Sequence, residues 1–466
     1  MRPLLVLLLC LAATSCGSVD ADPETCQNGV CIDPQFPFCD VNGEIGGTPG
    51  ACIAIECVPG TVASCQQDMA LSCNAAGNDY ELVACPNGCE LPNGCKDPVV
   101  VECTTNAQCD NPSPVCSAEM VCRGCALDDE CDSGVCDVDT GACANASEVL
   151  YATPTGGDSA QCVAADPCSL PRAVSLATSN PLRPWIKLAP GNYDRQVQTN
   201  VGAARIVGPR TAVLRGDSPS TTSGTISVGM GGKVTIRGVS IDLTKQSAYC
   251  GGVGTTGFLD GGELHLRDVA ITSPASNGVF FSNGCVGSIV HSAFDTMSGG
   301  IFVFSQSGHP MSRATIDRFH YRATGTTASF QVNMTTITNS LFEGVALSLT
   351  GSNIAFSTVY GGQIFAMEGR VENSIVLAPG NANALFCTSC TSRTNIAFPQ
   401  MATIAGTTAV DPQLVDAPNH DLHLKATSPA LNAAMPQPDL TTAHDFDGAS
   451  RPQGGGFDIG AYERAP

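Results

Sequence analysis

Between residues 236 and 376 the apolar positions recur at a fixed spacing, whatever polar residues lie between them. Seven segments, TIRGVSI, HLRDVAI, SIVHSAF, TIDRFHY, TITNSLF, NIAFSTV and RVENSIV, each place one apolar residue five positions before another. The pairs are Ile236/Ile241, Leu266/Ile271, Ile289/Phe294, Ile316/Tyr321, Ile337/Phe342, Ile354/Val359 and Val371/Val376. Their starts lie 30, 23, 27, 21, 17 and 17 residues apart, a period that fits a β-solenoid. Within a segment, Val239 and Ile241 point one way and Ser240 and Asp242 the other, the two-residue period of a strand. The connectors vary in length while the pattern holds, as in a parallel coil whose loops absorb insertions. A third inward slot carries Val239, Val269, Ser292, Phe319, Ser340, Ser357 and Ser374, so the last rungs should hold an interior ladder of serines.

Upstream of the rungs, SLPRAVSLA places Leu170, Ala173, Val174 and Ala177 at helical spacing, with Pro171 in the first turn. A short helix here predicts a plug for the open end of the coil. The strands IKLAPGNYDR, ARIVGPR and AVLRG follow, before TISVG at 225–229.

The cysteines set the compartment. Residues 26–143 hold 18 of them, a load carried by exported domains too poor in apolar residues to build a core. Cys122-x2-Cys125 alone has zinc-ligand spacing, but no histidine lies nearby, so disulfides are expected, with connectivity unreadable. Further along, Cys162–Cys168, Cys250–Cys285 and Cys387–Cys390 are the expected pairs, the last as a structural clip rather than a redox centre. Residues 1–15, MRPLLVLLLCLAATS, read as a secretory signal, too short and wrongly flanked to span a membrane. The end LAATSC resembles a bacterial lipobox, which implies that Cys16 becomes a lipidated N-terminus; Gly17 implies an outer-membrane destination.

Charge divides the chain. Residues 26–143 carry 18 acidic residues against Lys96 and Arg123, whereas the coil is close to balance. No basic patch suits nucleic acid, and the acidic part would repel phosphate. DDECDSGVCDVDTG offers Asp128, Asp129, Asp132, Asp137 and Asp139 to calcium but lacks a complete EF-hand loop, so a solvated acidic face is expected. The domain reading is 1–15 signal peptide, 16–25 lipidated tether, 26–147 cysteine-rich region, 148–410 β-helix and 411–466 C-terminal end segment.

The run ending in PGNY and followed by rungs resembles the pectate-lyase-like superfamily. That resemblance implies an all-β, right-handed parallel β-helix. DPQLVDAPNHDLHLKATSPALNAA and DFDGASRPQGGGFDIGAYE resemble the ending of bacterial surface proteins of the "choice-of-anchor Q" group. The cysteine-rich part resembles modules in surface proteins of predatory soil bacteria. Together these imply an outer-membrane, cell-surface location.

Chemistry is harder to place. The slot after each segment holds Asp242, Thr272, Asp295, Arg322, Glu343, Tyr360 and Leu377. Asp295 and Glu343, two rungs apart at about 10 Å, form with Arg322 the best catalytic guess, at the edge of the separation used by inverting glycosidases. The alternative is a charge ladder of little consequence. His291, His309 and His320 are expected in loops and not in a metal site. Trp185, Tyr249 and Tyr360 are candidates for stacking on sugar rings, whereas Phe280, Phe302 and Phe304 read as core. The leading expectation is polysaccharide binding or adhesion without catalysis, with no cofactor beyond a chance of calcium. A polysaccharide lyase or glycoside hydrolase, and a structural surface protein, are the alternatives.

Overall fold

A computed structural model of the chain describes residues 21–25, 31, 38–40, 48–53, 57–58, 60–66, 69–74, 80–85, 88–91, 94–95, 102–216, 224–251, 261–307, 309–436, 439–440 and 443–465. The signal segment and Cys16 lie outside the described residues. The chain divides into two compact units, Met1–Cys109 with Cys116–Cys122, and Asp110–Val115 with Arg123–Pro466.

The first unit is small and disulfide-stapled. Ala51–Ile53 pairs antiparallel with Ala21–Thr25 and Phe38–Asp40, and Val62–Gln66, Met69–Cys73 and Tyr80–Ala84 form a meander. Cys31–Cys52, Cys57–Cys73, Cys65–Cys89 and Cys85–Cys95 bridge it. Beyond them the bridges cross in the same manner twice. Cys103–Cys116 interlocks with Cys109–Cys122, and Cys125–Cys136 with Cys131–Cys143. Cys122 and Cys125 therefore belong to different bridges.

The second unit is a right-handed parallel β-helix. Among the described residues its strands form one sheet of 20, bent lengthwise into two faces, and one sheet of nine that makes the third face. Every strand pairing from Val149 to Thr408 is parallel. On the first face Ile236, Leu266, Ile289, Ile316, Ile337, Ile354 and Val371 are partners in consecutive rungs. On the second face Ile241, Ile271, Phe294, Tyr321, Phe342, Val359 and Val376 do the same. Both columns are fully buried, and each such side chain contributes about 1.5–3 kcal/mol.

Five is an odd number, so a straight strand would send one member of each pair outward. A corner resolves this. The residue two positions after the first apolar one is left-handed in every segment: Gly238 (φ 80), Asp268 (51), His291 (51), Arg318 (47), Asn339 (45), Phe356 (48) and Asn373 (47). That backbone costs a non-glycine residue about 1–3 kcal/mol, and axial bonds offset it. Asp268, Asn339, Phe356 and Asn373 each donate their amide to a carbonyl of the next rung.

The inward serines complete the corner. Phe319 donates its amide to the Ser340 hydroxyl, Ser340 to Ser357, and Ser357 to Ser374, at 3.2–3.3 Å. Each hydroxyl donates in turn to the carbonyl two residues before it, at 2.7–2.9 Å. A buried polar group costs little once both its donor and acceptor are used.

The plug is the helix Leu170–Ser179. Ser169 caps it by accepting from the Arg172 amide, and Leu170, Ala173, Val174 and Ala177 are its buried face. Inside the coil Cys250–Cys285 joins two fully buried sulfurs. Cys162–Cys168 closes a loop before the helix, and Cys387–Cys390 a turn near the far end.

Candidate functional site

Segments flanking the coil fold back over its outer faces and decide which side chains stay accessible. On the first face the knot of residues 123–144, tied by the interlocked bridges Cys125–Cys136 and Cys131–Cys143, packs Val135 and Ala144 against Val149, Trp185 and Val207. Its acids dock on a column of cations. Asp128 meets Arg237 at 2.6 Å and Lys187 at 3.8 Å, Asp137 meets Arg205 at 3.1 Å, and Asp139 meets Arg267 at 2.7 Å. Arg237 also donates to the Cys136 carbonyl at 2.8 Å. The expected solvated acidic face is corrected accordingly: three of those aspartates have guanidinium partners supplied by strands far away in sequence.

Trp185 is corrected for the same reason. It is buried under the knot, and the Arg205 guanidinium covers its ring at 4.9 Å. Beside it a cleft of about 340 Å³ opens between the knot and the face. Arg205, Lys233, His265 and Arg267 form its floor, Ser288 and Val290 its far end, and Asp137 and Asp139 its wall. Lys233 bonds Glu263 at 2.6 Å, and His265 lies between Ser288 and Glu263, at 2.9 and 3.4 Å. The Lys233 hydrogen bond holds the Glu263 carboxyl below the usual range, against the weaker upward push of burial, with His265 adding to the lowering.

The second face carries the proposed catalytic residues in adjacent rungs, Asp295 opposite Arg322 and Arg322 opposite Glu343. Arg322 bonds Asp295 at 2.7 Å, both half-exposed. Glu343 is 4% exposed and takes hydrogen bonds from His320 Nε2 at 2.6 Å and from His420 Nδ1. Burial pushes its carboxyl up, but the two histidines outweigh that and hold it below the usual range. One carboxylate of the trio is thus paired with an arginine, and the other is enclosed between two histidines.

What encloses it is the C-terminal segment. Leu414, Ala417, Leu422, Leu424, Ala430, Ile459, Ala461 and Tyr462 pack on Leu341, Ile375 and Ile396, with Tyr360 and Leu377 partly buried among them. Tyr360 is therefore corrected as a stacking residue. His320, expected in a loop, lies in the strand Arg313–Ala323, and His291 occupies a corner bonded to Asp268. Next to Glu343, His423 stacks on Tyr462 at 3.9 Å and bonds Asp421 at 2.7 Å and Asp447 at 2.9 Å. Burial would lower the His423 pKa, but the two carboxylates raise it on balance. The spacing rules gave no sign of this cluster, because His420, His423 and Asp447 come from a segment without the repeat.

Tyr249 remains on the outside. It is half-buried on the third face and stacks on Phe280 at 5.1 Å, which stacks on Phe302 at 4.7 Å. Phe280, Phe302 and Phe304 are corrected from core to outward positions, since their strand neighbours Phe281, Ile301 and Val303 take the interior. Farther along the same face Phe365 and Phe386, about two-fifths exposed, stack at 4.8 Å.

Among the described residues, the tight groups of metal-type donors are Cys103, Cys109 and Cys116, and Cys125, Cys131 and Cys136. All six are in disulfides and offer no thiolate. No described helix is long and apolar enough to cross a membrane.

No family model matches the chain, and no curated protein matches it. Among solved structures, pectate lyase Pel9A is similar over 68% of this chain and 96% of its own, at 14% identity and a TM-score of 0.39. XylC in complex with xylose is similar over 68% of this chain and 99% of its own, at 9% identity and a TM-score of 0.33.

Proposed function

We propose that this chain is an exported envelope protein, anchored through lipid on Cys16, that holds a polysaccharide on its coil without cleaving it. The observation that carries the reading is the cleft beside the knot. Its cations Arg205, Arg267 and Lys233 are already paired with Asp137, Asp139 and Glu263, so they are held before any ligand arrives. A sugar hydroxyl donates once and accepts twice, and such a lining lets it donate to Asp137 or Asp139 while accepting from Lys233 or Arg267. A concave site with a few fixed polar groups is the usual form of a small-ligand pocket. Hydrolysis through a carboxyl pair would need one carboxyl that stays protonated near neutral pH. Glu263 is held low by Lys233 and Glu343 by its histidines, and Asp295 is paired to Arg322.

Retention of the mature protein on a panel of neutral and acidic glycans, with and without calcium, tests the reading. Lys233→Ala with His265→Ala is expected to weaken retention about tenfold, equivalent to about 1.4 kcal/mol. New reducing or unsaturated ends that vanish in Asp295→Asn or Glu343→Gln would replace binding with catalysis. Neither retention nor cleavage would favour a structural surface protein.

The anchor has its own test. Radiolabelled fatty acid is expected to enter the protein and to be lost in Cys16→Ser, because the lipid thioether needs that sulfur. Label persisting in the variant would remove the anchor. Export is supported by the leader-like residues 1–15, by the cysteine load and by the ending that resembles the choice-of-anchor Q group.

A further inference from the structure

We propose that a pH-sensitive clamp holds the C-terminal segment on the second face, with His423 as its sensor and the Glu343–His420 bond as its contact with the coil. Three of the chain's seven histidines, His320, His420 and His423, lie at this junction. Glu343 ends the coil strand Leu341–Glu343, and His420 reaches it from the turn after Ala417–Asn419, so their bond ties the segment to the coil. His423 lies in the strand Asp421–Leu424 and bonds Asp421 on that strand and Asp447 in the turn between Asp445 and Ala449. It thereby ties the early part of the segment to the late part. Its ring rests on Tyr462, which packs with Leu422 and Leu424 on Leu341 and Ile375 of the coil.

Both nitrogens of His423 address a carboxylate, Nδ1 that of Asp421 and Nε2 that of Asp447. Only the imidazolium donates from both; a neutral ring donates once and turns a lone pair toward the other anion. His320 and His420 each use one nitrogen on Glu343, so those bonds survive with neutral rings. Among the described residues no lysine or arginine pairs with Asp421, Asp447 or Glu343. The other charged neighbours are engaged: Asp445 accepts from the amides of Ala449 and Glu463, and Arg322, in register with Glu343, bonds Asp295. The Tyr462 phenol is pushed up by burial first and then by Asp447 and Asp421, so it stays neutral. Burial would lower the His423 pKa, but Asp447 and Asp421 raise it on balance from 6.5; burial would raise that of Glu343, but His320 and His420 lower it from 4.5. A raised base stabilises the fold fully below its unfolded value and loses that contribution as pH rises through the folded one; a lowered acid contributes above its unfolded value and loses it as pH falls. The clamp is therefore tightest between 4.5 and 6.5, loosening above that window through His423 and below it through Glu343.

The test is amide hydrogen exchange of the untagged mature protein, read by mass spectrometry over 411–466 and corrected for the intrinsic pH dependence of exchange. Protection of that segment is expected to fall severalfold between about pH 6 and about pH 9, the range in which histidine gives up its charge. Coil peptides holding Ile289 and Ile316 are expected to keep theirs. His423→Gln, which retains a donor but never becomes cationic, is expected to show the weaker, alkaline protection at both values. Asp447→Asn, at a half-exposed carboxylate, is expected to shrink the difference and serves in place of His423→Gln if circular dichroism shows that variant misfolded. His291→Asn, at a corner of the first face, is expected to behave as wild type does. Equal protection of 411–466 at the two pH values in wild type, or an undiminished difference in a folded His423→Gln or Asp447→Asn, would overturn the clamp. The clamp does not rest on the glycan reading, because Lys233 and His265 lie on a different face.

Discussion

Arg451→Met is expected to release the C-terminal segment from the coil and to lower stability by about 3–5 kcal/mol, the usual cost of breaking a buried pair from one side. Arg451 and Glu463 are both fully buried, 2.6 Å apart. The guanidinium also donates to the carbonyls of Asp458 and Gly460, at 3.4 and 2.9 Å, and lies 4.8 Å over the Phe356 ring. Glu463 accepts in addition from the amides of Gln453 and Asp458, at 3.0 and 2.9 Å. Methionine keeps most of the volume but leaves Glu463 charged and two carbonyls unpaired. Burial lowers the Arg451 pKa and raises that of Glu463, so each charge depends on the other. Replacing both partners should restore only part of the loss, because the Gln453 and Asp458 amides would still lack their acceptor. Denaturant unfolding and limited proteolysis check the result. A midpoint equal to wild type, with no new cleavage in 411–466, would show that the pair does not hold the segment.

That segment also explains which features were legible in the sequence. The two interior columns were, because stacking rungs forces the same apolar slots to recur and any slip would expose them. The serine ladder was legible for the same reason. The corner between the paired slots was not. Its left-handed residues are Gly, Asp, His, Arg, Asn, Phe and Asn in turn, and a backbone requirement met by such different side chains leaves no compositional mark. The outer faces were legible in register and illegible in exposure. Arg322 does stand between Asp295 and Glu343, yet nothing near Glu343 in sequence announces that His420 will lie against it. Trp185 is covered by Val135 and Ala144, and Tyr360 by the C-terminal segment, neighbours about 40 residues or more away in the chain. Burial of an outward side chain is decided by segments without the repeat, so the repeat cannot report it.

Phe342→Ala and Phe365→Ala separate inward from outward positions by the size of their effects. Both are phenylalanines in short strands of the same coil, and they should differ severalfold. Phe342 is fully buried, 4.9 Å from Phe330 edge-on and 6.5 Å from Tyr321. Those rings join Phe294 and Phe319 in one aromatic cluster inside the coil. Truncation there leaves a cavity between rungs whose spacing is fixed by backbone hydrogen bonds, so little relaxation is available, and the loss is expected at about 3–5 kcal/mol. Phe365 is 40% exposed and, among the described residues, stacks on Phe386. Its truncation opens no cavity and removes one cross-strand pair, at a cost of about 0.2–1 kcal/mol. Denaturant unfolding of the two variants under one set of conditions gives the comparison. If Phe365→Ala costs as much as Phe342→Ala, the third face is not free surface but is packed against something in solution. If Phe342→Ala costs less than about 1 kcal/mol, the second interior column is not the packed core its burial describes.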